Sequence, residues 1–250
     1  MKVNTLRIGE LSKYLGVNIQ TLRRWDADGK LKAQRMSSDG HRIYDKEYIE
    51  DEITTGNLGC IRMCKAWTVS DGSWQPLEFV YSATSSDFAN RLHKFEQKLS
   101  DIQNIDAILS LITSTTGEIG NNSYDHNLGN WPDIQGIFFG YNINMRQVVL
   151  ADRGRGLLTT LRQVRPELKT HEEALYVAFT EMVSGRAPEN RGNGLKYVRK
   201  IITEKNLNLY YQSGDVYLEL SGGDKGLNIN ELIKVLCWFL PLSKSEIPSG

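Results

Sequence analysis

Three short segments rich in glycine and asparagine follow one another along the chain: Glu118-Ile-Gly-Asn-Asn122-Ser-Tyr-Asp-His126, Asp152-Arg-Gly154-Arg-Gly156 and Gly192-Asn193-Gly194-Leu195. Two glycines one residue apart recur in many loops, so no single segment constrains the fold. The ordered set is far rarer by chance. It restricts the chain to folds that gather three separated junctions around one ligand.

The first segment continues a helix that starts near Asp106, with Ile108, Leu109, Ile112 and Ile119 as its apolar stripe. Glu118, Asn122 and His126 fall at steps of four and share one helix face. A carboxylate, a carboxamide and an imidazole so aligned can activate a water, hold Mg²⁺ through oxygen and touch a phosphate. A polar stripe facing solvent has the same spacing.

Beyond a turn at Trp131-Pro132, residues 136–141 and 147–150 read as strands, and Asp152 directly follows the second. A carboxylate there can accept the adenine amino hydrogen, whereas guanine presents an oxygen and is repelled. Gly154 and Gly156 let the backbone pass close to a base and sugar. A tight turn with a solvated aspartate reads the same way. Gly192 to Leu195 then open a helix with Leu195, Val198, Ile201 and Ile202 as apolar positions. Free amides and the helix dipole at such a start form a phosphate cradle, and Arg191, Lys196 and Lys200 strengthen the field. Neither a P-loop nor an early Gly-x-Gly-x-x-Gly is present, which sets aside those two solutions.

The three segments resemble the N, G1 and G2 boxes of the GHKL ATPases (gyrase, heat-shock chaperone, histidine kinase, MutL) over residues 106–242. By that resemblance Glu118 is the water-activating base, Asn122 the Mg²⁺ ligand and His126 a phosphate contact. Asp152 reads adenine, Gly154 and Gly156 shape the base pocket, and Gly192, Asn193, Gly194 and Leu195 lie under the phosphates. Residues 158–190 form a lid with Ser184-Gly-Arg186 as hinge or clamp. The fold implied is a two-layer α/β sandwich, and alternation at 207–211, 215–220 and 235–240 supplies its late strands. The family's later Gly-Thr element has no clear counterpart before the last strand, and a phosphoacceptor histidine helix is missing: His93 sits in His93-Lys-Phe-Glu96.

At the other end, Ile8, Leu11 and Leu15 recur at helical spacing and Gly16 follows, a residue suited to a helix C-terminus. Asn18 can cap a second helix in which Leu22 and Trp25 face inward, leaving Gln20, Thr21, Arg23 and Arg24 outward. Residues 37–44 read as a hairpin. The runs Ile8-Gly-Glu-Leu-Ser-Lys-Tyr-Leu-Gly-Val, Thr21-Leu-Arg-Arg-Trp-Asp and Gly40-His-Arg-Ile-Tyr44 resemble the winged helix-turn-helix of the MerR and excisionase families over residues 5–52. The resemblance implies a second helix in the major groove and a wing on the flanking backbone. Arg23, Arg24, Arg35, His41 and Arg42 suit phosphate or guanine edges, while Asn18, Gln20 and Thr21 can bond to bases.

Charge agrees. The formal net charge is zero, yet residues 1–44 carry nine Lys or Arg against four Asp or Glu. One end, rather than the whole molecule, is suited to a polyanion.

The expected fold class is α+β: a winged helix-turn-helix at 1–52, a connecting segment at 53–105, a GHKL-type sandwich at 106–242 and a tail at 243–250. Within the connection, Trp67, Trp74 and Leu77 to Tyr81 suggest a hairpin or two short strands. Phe88, Leu92, Phe95, Leu99 and Ile102 follow steps of four and three, which fits a dimerisation helix or a helix packed on its own domain. Cys60, Cys64 and Cys237 are too few for a disulfide framework or a four-ligand zinc site. With 40% hydrophobic and 24% charged residues, no spanning apolar run and no signal peptide, the expectation is a cytoplasmic chain without membrane contact. The expected partners are double-stranded DNA, ATP with Mg²⁺, a second copy and a protein partner. The leading reading is a DNA-binding regulator switched by ATP occupancy or by Mg²⁺-dependent hydrolysis. An anti-sigma-type serine/threonine kinase tethered to DNA and a non-hydrolysing nucleotide-binding scaffold stand beside it.

Overall fold

The computed structural model describes residues 4–70, 72, 75–103, 105–127, 130–182, 194–231 and 240–241. Strand β1 (Thr5–Arg7) runs directly into helix α1 (Ile8–Leu15), which Gly16 ends at φ 63°. Helix α2 (Ile19–Ala27) begins at Asn18, whose side chain accepts the Thr21 amide at 2.7 Å and so satisfies one of the free amides of the first turn. The wing is strands β2 (Arg35–Met36) and β3 (Arg42–Asp45), with β1 on the far side of β3. Leu6, Leu11, Leu22, Leu31 and Tyr44 form the buried centre of this unit.

Helices α3 (Lys46–Thr54) and α4 (Ile61–Thr68) follow, which corrects the hairpin expected around Trp67. Aromatic content reads as strand, but Cys60, Met63, Cys64 and Trp67 recur at steps of three, one and three, and bury one helical face. Trp74 lies outside the described residues. Cys60 and Cys64 are buried thiols that form no disulfide.

The remainder comprises β4 (Tyr81–Ser82), α5 (Ser85–Ser100), α6 (Asp106–Asn127), β5 (Ile137–Asn142), β6 (Gln147–Asp152), α7 (Gly156–Leu161), α8 (His171–Thr180), α9 (Gly194–Glu204), β7 (Leu209–Ser213), β8 (Val216–Leu220), β9 (Asn228–Glu231) and β10 (Leu240–Pro241). Two antiparallel sheets result, one ordered β10-β6-β5-β4 and one β7-β8-β9, and β10 also lies beside β7. Helices α5, α6 and α9 pack side by side over this β structure. Of the late strand expected at 235–240, only Leu240 is described, at the start of β10. The lid interval contains α7 and α8, while Ser184-Gly-Arg186 falls outside the described residues.

The apolar stripe of α5 is spent inside its own chain and is not left for a second copy. Phe88, Phe95 and Leu99 are buried, and the rings of Phe88 and Phe95 stand edge-on to Phe139 at 5.3 and 5.9 Å between centroids. Heptad spacing specifies a stripe, and β5 together with α6 covers it.

The pair β5–β6 is buried on both faces, which explains its near-continuous apolar sequence. Phe139 and its partner Leu150 join the core beneath the helices, while Phe138 and its partner Ala151 join the core shared with the head. Trp67 of α4 lies against Phe138 at 6.3 Å and is completely buried, so truncating it would cost about 3–5 kcal/mol. Asn142, at the end of β5, donates to the carbonyls of Ile53 at 2.6 Å and Gly56 at 3.1 Å. The residues after the wing are therefore packed against the sheet, sharing its outer core with the head.

Candidate functional site

Five of the residues singled out from sequence, Asn122, His126, Asp152, Gly154 and Gly156, line one cavity of about 130 Å³. Three elements supply them. Helix α6 contributes the first two, the end of β6 contributes Asp152, and the turn into α7 contributes the glycines. Tyr211, Gln212, Ser213 and Gly214 close the cavity from the β7–β8 hairpin.

Asp152 is held in place by two donors. The Ser123 hydroxyl donates to Oδ2 at 2.6 Å, and the Gly154 amide donates to Oδ1 at 2.7 Å. Beneath it, burial holds the Tyr211 phenol well above its ordinary range, and the Asp152 charge adds to the effect. The turn itself is pinned by Asn127, a residue that sequence reasoning missed. Its Nδ2 donates to the Ser123 carbonyl at 2.8 Å, and its Oδ1 accepts the Arg155 amide at 2.8 Å. A Cβ at Gly154 would lie 2.0 Å from that Nδ2, so close packing demands glycine there. Gly156 requires glycine for a different reason, since it sits at φ 73°. Ser213 secures the start of α7 by accepting the Leu157 amide at 3.0 Å. Ser123, Asn127 and Ser213 carry no sequence signal beyond being small and polar beside recognised positions.

The third segment meets the first. A Cβ at Gly194 would come within 2.5 Å of Glu118 Oε2 and 3.7 Å of Asn122 Nδ2. The start of α9 thus lies against the polar face of α6, and Ser114 and Tyr197 join the two helices through their hydroxyls at 3.0 Å. Leu195 is buried in the core. Gly192 and Asn193 lie outside the described residues. Among those described, no cluster of three His, Cys, Asp or Glu side chains is arranged to hold a metal.

The head presents a second surface. Gln20, Arg23 and Arg24 are exposed on α2. Other expected DNA contacts are engaged inside the unit. The Asn18 carboxamide oxygen accepts both the amide and the hydroxyl of Thr21, so these two side chains build the cap before they can read a base. Arg42 donates from Nε to Asp26 at 2.5 Å and is largely covered, which makes it a tie between wing and helix instead of a free phosphate contact. Arg35 pairs with Asp45 at 2.9 Å but stays exposed, and His41 lies 3.4 Å from Asp39 at the wing tip. Asp26 was not foreseen. Hydrogen bonds from the Ala33 amide and from Arg42 hold its carboxyl below the usual range.

Two larger hollows border the head. One of about 350 Å³ carries charges of both signs, including Glu50, Glu78, Arg91 and Lys94. The other, of about 440 Å³, lies beside Trp25 and carries Lys30, Arg62 and Lys65. Neither gathers the glycine-rich backbone of the smaller cavity. Among the described residues no helix is long and apolar enough to cross a membrane.

Comparison with known proteins bears on the amino-terminal head. Residues 7–44 match the model described as MerR family regulatory protein. Over 44 residues the chain is 43% identical to the type II methyltransferase M.Eco47II of Escherichia coli. Over 44 residues it is 41% identical to the nodulation protein NolA of Bradyrhizobium elkanii. Each alignment covers 18% of this chain, but only 11% and 20% of the respective relatives, so likeness to them is confined to a short segment. No solved structure matches the chain. The exposed face of α2, the wing and the family match agree: residues 7–44 are a DNA-binding helix-turn-helix domain of the MerR family.

Proposed function

We propose that this protein is a DNA-binding regulator, dimeric on DNA and cytoplasmic, whose second half binds ATP with Mg²⁺ at a GHKL-type site and so alters DNA affinity or assembly. The observation that carries this reading is the convergence of Asn122, His126, Asp152, Gly154 and Gly156 on one cavity, with Gly194 lying against Glu118. These residues fit the group. Asp152, fixed by Ser123 and the Gly154 amide, keeps acceptor capacity for an adenine amino group. Gly154 and Gly156 leave the backbone bare beside the base. The triphosphate would run along α6 toward the start of α9, where helix amides favour anions. Mg²⁺ keeps several waters and is held largely through the substrate phosphates, and Asn122 would add one carboxamide oxygen to that shell. Bound Mg²⁺ supplies charge neutralisation at the phosphates. Glu118, on the same helix face, would take the proton of an attacking water.

Calorimetric titration with ATP and with GTP tests the binding claim. Wild type should bind ATP in preference to GTP, and Asp152→Asn should bind neither well. Wild type that fails to bind ATP would defeat the reading. Phosphate release distinguishes its variants: release abolished by Glu118→Ala marks an ATPase, label appearing on a partner protein marks a kinase, and binding without turnover marks a scaffold.

A further inference from the structure

We infer that Arg153, the residue between Asp152 and Gly154, is the positioning residue that couples the nucleotide cavity to the DNA-binding head. The inference rests on the reading given above and adds the route by which one site would sense the other.

Arg153 takes no part in lining the cavity. Its side chain leaves the turn on the opposite side and is only 12% exposed. There Nη1 donates to the carbonyls of Trp67 at 2.7 Å and Ser70 at 2.8 Å, and to the Ser70 hydroxyl at 3.1 Å. The guanidinium thus caps the C-terminus of α4, where unpaired carbonyls concentrate negative potential and a cation is favoured. Nε donates to Asp133 at 2.8 Å, and that bond holds the Asp133 carboxyl below its usual range. One planar group therefore fastens α4 and the 130–135 turn to the backbone that carries Asp152.

The other end of the route is equally tight. Gly16, in the turn between α1 and α2, is seated on α4, because a Cβ there would lie 2.8 Å from Ala66 Cβ and 2.9 Å from the Arg62 carbonyl. A displacement of α4 must move the helix-turn-helix turn or open a gap in a closely packed core. From cavity to groove-reading helix the sequence is Asp152, Arg153, α4, Gly16 and α2. The carboxylate and the guanidinium belong to adjacent residues, so an adjustment of the turn on nucleotide binding reaches α4 without passing through the sheet.

Coupling is a ratio of affinities, and it is the same ratio read from either site. The test measures DNA affinity with and without ATP-Mg²⁺, and ATP affinity with and without DNA, using a fluorescent duplex enriched from a random pool by the wild-type protein. Wild type should show a change of roughly fivefold or more, equal in both directions. Arg153→Gln should bring the ratio to about one. Arg153→Lys keeps the charge and most of the packing, but cannot span the α4 carbonyls and Asp133 together, so it should also lose the ratio. It serves if the glutamine variant fails to fold. A merely structural Arg153 would lower the melting temperature and leave the ratio intact, and that result overturns the inference. Wild type that binds both ligands without mutual effect overturns it too, while leaving ATP binding and DNA binding standing. Wild type that binds no ATP overturns both readings.

Discussion

The hydroxyl of Ser123 donates to Oδ2 of Asp152 across 2.6 Å, joining the C-terminal end of α6 to the end of β6 at the wall of the cavity. This bond sets the direction in which the carboxylate faces a base. Ser123→Ala removes it without adding volume. Loss of one hydrogen bond to a charged acceptor is worth about 1.5–3 kcal/mol, so ATP affinity should fall by roughly 10- to 150-fold. Calorimetric titration reads the change, and an unaltered dissociation constant would show that the serine does not orient the acceptor.

Gly120 ties the site to the core. It lies on α6 between Glu118 and Asn122, and a Cβ there would fall 2.2 Å from the Phe88 ring. The ring is completely buried against Phe139 and cannot retreat. Gly120→Ala should therefore destabilise the protein by about 1–3 kcal/mol through overpacking, despite the better helix propensity of alanine. Chemical denaturation measures the loss. A variant as stable as wild type would mean that α5 and α6 separate more readily than their packing implies.

How much of this was legible in the sequence differs between the two ends. Gly16 and Asn18 announced the helix-turn-helix because each has a local backbone task, ending one helix and starting another. Met63, Cys64 and Trp67 misled because the face they bury spans only about two turns, and aromatic content outweighed that short period. The stripe of α5 was visible, but not its destination: Phe88 and Phe95 would read alike against a second copy or against Phe139. Asp152, Gly154 and Gly156 stood out as a motif. Asn127 and Arg153, which hold that motif to α6 and to α4, did not, because their partners lie 28 and 83 or more residues away. Contacts between distant polar groups leave no periodicity.

The stability of the head should depend on acid. The Ala33 amide donates to Asp26 at 3.0 Å, and Arg42 donates from the wing. Both hold the folded carboxyl below its ordinary value of 3.8. A lowered folded value means that the unfolded chain takes up the proton first, so this contribution is present above the ordinary aspartate range and is lost as pH falls through and below it. Asp26→Asn should flatten the decline of melting temperature between about pH 5 and pH 3 relative to wild type. Parallel curves would assign the acid sensitivity to other carboxylates.

Two arginines of the head should behave differently when removed, although both belong to its basic surface. Arg23 is exposed on α2 and suited to a phosphate. Arg23→Ala should weaken binding to all duplexes alike, reduce the salt slope by about one and leave the melting temperature unchanged. Arg42 is committed to Asp26, so Arg42→Ala strands a partly covered carboxylate and frees the wing from the helix it braces. It should lower the melting temperature and DNA affinity together. Combining it with Asp26→Asn, which removes the stranded charge, should restore part of the stability, a coupling that independent residues would not show. Fluorescence anisotropy across a salt series and a thermal scan of each variant separate the cases. An Arg42 variant that behaves as Arg23→Ala does would make Arg42 a DNA contact after all, and would remove Asp26 from the device that sets the wing.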